Sequence, residues 1–221
     1  MVLPSAAIFG ISPRRGLRNK QTEVKQEVGM TTTTKGIVES VKDSIVGLIK
    51  GTGDIMNTIV DTISGMVTNL VKDTGKTGAA VIESIKDVIG ATIRGVVEAG
   101  KSLEEGVKGL VIGILKGLKV TGEEAFSTIA TLAGTIIKTT VDTGADVVAA
   151  TTGLLKGVVH SAKEMGVDAE KAVSAAAKGA IKAAYEISVE VGDKVKNAAT
   201  GTIDGVKVIV REPFSKNKET K

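Results

Sequence analysis

The chain has 221 residues, with no cysteine, no tryptophan, one tyrosine and three phenylalanines. This excludes a disulfide framework, a thiolate nucleophile and a thiolate metal site, and it leaves no aromatic platform on which nucleic-acid bases could stack. The net charge of +4 comes from the ends, since residues 1–20 carry +4 and residues 213–221 carry +2 while the stretch between them is slightly acidic and offers no phosphate track.

Residues 1–33 read as a leader. A short apolar piece over 2–11 is followed by Arg14, Arg15, Arg18 and Lys20, and then by a run of threonines at 31–34 that can cap a helix. The charged start and unbroken apolar core of a secretory signal are missing, so a surface arm or small membrane anchor is expected.

Residues 37–212 divide into sixteen consecutive blocks of eleven without an insertion or deletion. Eleven residues in three turns is about 3.67 per turn, close to the α-helix and favouring a right-handed supercoil. No proline occurs between Pro13 and Pro213, so nothing obliges a helix to stop. The expectation is an all-α protein in which residues 34–212 form a long uninterrupted amphipathic helix of the right-handed coiled-coil type. The glycine-rich stretches at 51–53 and 75–78 are places where it could fold back. The longest uncharged run, 125–137, is too short for a bilayer core of about 30 Å.

The first position of each block places Ile37, Leu48, Ile59, Leu70, Val81, Leu103, Ile114, Ile136, Val147 and Val158 on one apolar arc, the expected association face. Beside it, small residues such as Gly51, Gly95, Gly117 and Gly205 would let another backbone approach closely. The true period is 22. At the third position the charge alternates, with Glu39, Asp61, Glu83 and Glu105 in odd blocks and Lys50, Lys72, Arg94, Lys116 and Lys138 in even ones. A neighbouring helix staggered by one block would set these charges against each other, which makes them candidates for pairing in an assembly. Glycines keep the same rhythm at 78, 100, 122, 144 and 166. With twenty-three glycines between 37 and 212, each about 0.8–1 kcal/mol worse than alanine in a helix, the helix should need association to be fully ordered.

Catalytic chemistry is not indicated. Gly75, Lys76 and Thr77 resemble the end of a phosphate-binding loop, but the glycine required five residues earlier is Leu70. His160 is the single histidine and occupies a slot held elsewhere by lysine or arginine, while Glu104, Glu105, Glu123 and Glu124 suit a solvated face. No cofactor, metal or small-molecule substrate is expected. Residues 213–221 form a charged tail.

The valine-, threonine-, glycine- and lysine-rich elevens, such as Thr140, Val141, Asp142, Thr143 and Gly144, or Gly106, Val107, Lys108 and Gly109, resemble the eleven-residue repeats of perilipins and synucleins. That resemblance implies long helices lying on lipid. The sequence also resembles hendecad coiled-coil proteins, which are structural oligomers; apolipoproteins share a 22-residue unit, but theirs is punctuated by proline. Three expectations follow. The favoured one is a non-enzymatic structural protein, a homo-oligomer assembling into a bundle, tube or filament in contact with membrane. The second is a coat on a lipid or anionic membrane surface, and the third an inside-out transmembrane bundle. Nucleic acid is not an expected partner.

Overall fold

The computed structural model describes residues 54–120 and 122–210, with Asp43, Ser44 and Gly47, all within the unit Val38–Lys221. The described residues are mostly helical, so the all-α expectation holds at that level. They do not form one long helix. Eight helices succeed one another: α1 (Ile55–Thr74), α2 (Gly78–Ser84), α3 (Lys86–Glu98), α4 (Leu103–Leu118), α5 (Gly122–Asp142), α6 (Val147–Met165), α7 (Ala169–Ile187) and α8 (Val189–Ala198).

The interruptions follow the 22-residue rhythm. Gly78, Gly100, Gly122, Gly144 and Gly166 all have φ between 52° and 69°, a left-handed conformation that glycine adopts without the penalty paid by other residues. At three of them the helix ends in a Schellman-type turn. Gly100, Gly144 and Gly166 donate to the carbonyls of Val97, Val141 and Lys163, and the next residues, Lys101, Ala145 and Val167, donate to Val96, Thr140 and Ala162. Two residues after each glycine stands a capping side chain: Ser102 accepts from the Glu105 N–H at 3.3 Å, Asp146 from Val148 at 2.8 Å, and Asp168 from Glu170 and Lys171 at 3.0 Å. Each 22-residue unit is thus one helix plus its turn, and the expectation of a continuous helix is corrected. The hydrophobic period alone does not specify whether the helix continues, because a turn that replaces whole turns of helix keeps the phase.

Successive helices alternate between two layers. In one layer α1, α4 and α6 are neighbours; in the other α5 lies between α2/α3 and α7. The break between α2 and α3 is a local irregularity at Ile85, whose N–H is shared between the carbonyls of Val81 and Ile82, so the two act as one kinked helix. Neighbours within a layer run parallel. Gly109, Gly113 and Gly117 of α4 meet Met56, Val60 and Ser64 of α1 in ascending order, and Gly153 and Gly157 of α6 meet Glu104 and Lys108 of α4. Likewise Gly179 of α7 meets Ala130 of α5, and Gly78 and Gly90 meet Thr128 and Thr139 of α5.

The core lies between the layers. Ile59, Val81, Ile114, Ile136 and Val158 of the expected association face are fully buried, Leu103 is buried, and Leu70 and Val147 pack partly buried against them. The arc that was expected to need a partner is therefore largely covered by this chain's own helices. The intramolecular solution buries the same apolar area, at about 25 cal/mol per Å², without the entropy lost on association. Ile37 and Leu48 lie outside the described residues.

The last repeats depart from helix. Strands β1 (Gly201–Ile203) and β2 (Val206–Val208) form an antiparallel hairpin. Its turn residues Asp204 and Gly205 have φ of 47° and 82°, the conformation of a tight two-residue hairpin turn. The Ile209 N–H donates to Ser174 Oγ of α7 at 3.0 Å, fastening the hairpin to the stack.

Candidate association surfaces

The glycines that permit close packing form columns. A Cβ built on Gly109 would stand 2.8 Å from the Met56 carbonyl oxygen, on Gly113 3.0 Å from that of Val60, and on Gly117 2.9 Å from that of Ser64. On Gly153 and Gly179 it would collide with the carbonyl oxygens of Glu104 and Ala130. Backbone meets backbone along these lines, the mode familiar from small-residue helix contacts. Of the four glycines expected to do this, Gly117 does. Gly95 is buried, Gly205 belongs to the hairpin turn, where an added Cβ would meet nothing within 4 Å, and Gly51 lies outside the described residues. Of the glycines that were missed, those at 109 and 113 and at 153 and 157 carried a legible signal in their spacing of four, which places each pair on one helix stripe; Gly179 carried no such signal.

The alternating charges lie on the outside. Asp61, Lys72, Glu83, Arg94, Glu105, Lys116 and Lys138 are all exposed, and Glu39 and Lys50 lie outside the described residues. One of them pairs between helices of the same chain: Lys138 Nζ of α5 is 2.7 Å from Glu186 Oε2 of α7. The Lys138 hydrogen bond, reinforced by its charge and that of Lys182, holds the Glu186 carboxyl below the usual glutamate range. In the other layer Lys156 Nζ of α6 donates to Glu104 Oε1 of α4 at 2.6 Å, which raises the lysine above its ordinary value. On α8, Lys194 donates to Glu190 at 2.7 Å, lowering the glutamate and raising the lysine. His160 lies 3.5 Å from Glu164 on the same helix face, in keeping with a surface position.

Charges outside and aliphatic side chains inside are the reverse of an inside-out membrane bundle. No helix among the described residues is long and apolar enough to cross a membrane. Among these residues no cluster of three or more histidine, aspartate and glutamate side chains could hold a metal ion. Two shallow grooves run along the outer face of α5 and α7. One, of about 390 Å³, is lined by Gly134, Gly179, Lys138, Lys182 and Glu186 among others; the other, of about 630 Å³, is lined by Phe126, Ala130, Ser174 and Ile209 among others. At the first groove Lys138 is paired with Glu186.

No protein-family model matches this sequence, and no curated protein matches it either.

Proposed function

We propose that the chain is a structural, non-enzymatic protein that works as an oligomer of itself, a helical-repeat scaffold extended into a bundle, tube or filament. The supporting observation is that one contact, a small-residue face laid on the backbone of a parallel neighbour, recurs from α1 to α4 to α6 and again from α5 to α7, while Gly78 and Gly90 of α2/α3 face side chains of α5. Repeat stacks of this kind are held by neighbour-to-neighbour interfaces and offer broad surfaces rather than pockets. Association then involves folded stacks and their outer faces, not long bare helices. Basic side chains at both ends, Arg14, Arg15, Arg18 and Lys20 and then Lys216, Lys218 and Lys221, suit contact with an anionic membrane surface.

A lipid coat is the competing function, and it requires the buried arc to leave the core. The two are separated by sedimentation, circular dichroism and negative-stain microscopy of lipid-free protein across a concentration series, repeated with vesicles of neutral and of anionic lipid. Fully helical oligomers without lipid are the expected result. Monomers whose helicity rises only on adding vesicles would replace the scaffold with the coat.

A further inference from the structure

Gly65, Gly109 and Gly153 are 44 residues apart and occupy equivalent places in α1, α4 and α6. Two of the three are filled: Gly109 lies on the α1 backbone and Gly153 on that of α4. Gly65 is exposed, and a Cβ there would meet nothing within 4 Å. It is a glycine in the interior of a 20-residue helix, paying the propensity penalty without the close contact obtained by its two equivalents. At the other end of the stack α8 and the hairpin lie on α6 and α7.

The residues around Gly65 form a polar stripe with acid on one side of the glycine and base on the other. At about 100° per residue, Thr58, Asp61, Asn69 and Lys72 fall within about 40° of Gly65, with Asp54 at the N-cap of the helix and Lys76 beyond its left-handed C-cap Gly75. All but the half-buried Thr58 are exposed. The acids precede the glycine and the lysines follow it. Turned end for end about Gly65, the stripe sets Asp61 opposite Asn69, one turn from Lys72, and brings the acidic start of one helix, at Asp54, to the end of the other. A parallel copy would instead set like charge on like.

We propose that this face of α1 is a homodimer contact, taking α1 of a second copy in antiparallel orientation with the two-fold axis passing at Gly65. The contact fills the place that the glycine column leaves open on α1, in antiparallel rather than parallel orientation, and its charge layout, Asp61 before the glycine and Lys72 after it, is self-complementary, as an isologous interface requires. It rests on the self-associating scaffold proposed above and names the surface and symmetry of that association.

Because the chain has no cysteine, the test is direct. The full-length Gly65→Cys variant and a control, Ser127→Cys on the exposed outer side of α5, are oxidised in parallel, their fold checked by circular dichroism, and the products sized. Residues facing each other across a close two-fold contact satisfy disulfide geometry, so Gly65→Cys should convert mostly to a covalent dimer while the control does so no faster than random collision. In sedimentation, Lys72→Glu with Lys76→Glu should weaken dimerisation by about fivefold or more at low salt. Oligomeric wild-type protein with no preferential cross-link at 65 would overturn this face and leave the scaffold standing. Protein that is monomeric at every concentration overturns both.

Discussion

At Gly153 and Gly179 two ordinary expectations oppose each other. Replacing a helical glycine by alanine gains about 0.8–1 kcal/mol of helix propensity, but here the added methyl would strike the carbonyl oxygens of Glu104 and Ala130, and overpacking typically costs about 1–3 kcal/mol. Gly153→Ala and Gly179→Ala should therefore lower stability by roughly 1 kcal/mol or more in urea titration, against the sign that propensity alone gives. Gly144→Ala should also destabilise, by about 1–2 kcal/mol, for a different reason: its φ of 69° is left-handed and the surrounding space is empty. The sequence carried the positions of both classes of glycine but not the distinction between them. Gly100, Gly144 and Gly166 keep the 22-residue beat and each is followed two residues later by Ser102, Asp146 or Asp168, so a turn signal was present. The hydrophobic phase, unbroken across those points, outweighed it.

At the scale of the helix, ends and cross-helix pairs fix which elements face each other. Asp168 accepts two backbone N–H groups at the start of α7, and Asp168→Ala should cost about 1 kcal/mol in thermal or denaturant unfolding. The Lys138–Glu186 pair joins α5 to α7, and Glu186 sits below its usual range because of that lysine. A carboxylate lowered in the folded state contributes stability above its unfolded value, near 4.5, and loses it as the pH falls through the lower folded value. Stability of the wild type relative to Glu186→Gln should thus be constant above that range and shrink on acidification, with both side chains nearly half exposed and the effect correspondingly small. Pairing of charges between helices was legible in the alternation at the third position. Its partner, 48 residues on in a parallel helix of the same chain, was not, because the stagger between neighbours within a layer depends on where glycines let backbones meet.

For the molecule as a whole, α8 and the hairpin are the polar end of an otherwise repetitive body. Terminal elements of repeat stacks serve solubility, and a chain ended after Ile187 should aggregate or form larger species on sizing columns, having lost the cover that α8 and the hairpin give to α6 and α7. The all-helical class and the buried arc followed from periodicity; the final hairpin did not, since its Asp204 and Gly205 stand in the eleven-residue register like any other pair. The alternation of layers also sets how such a chain can change in length. Removing 22 residues would send every later helix to the opposite layer and turn its buried side outward or break the parallel neighbours. Removing 44, such as residues 103–146, deletes one up-and-down pair and returns the chain to the same layer, direction and phase. Length in this architecture is quantised, and duplication or loss of 44-residue modules is the step by which it could grow or shrink while remaining folded.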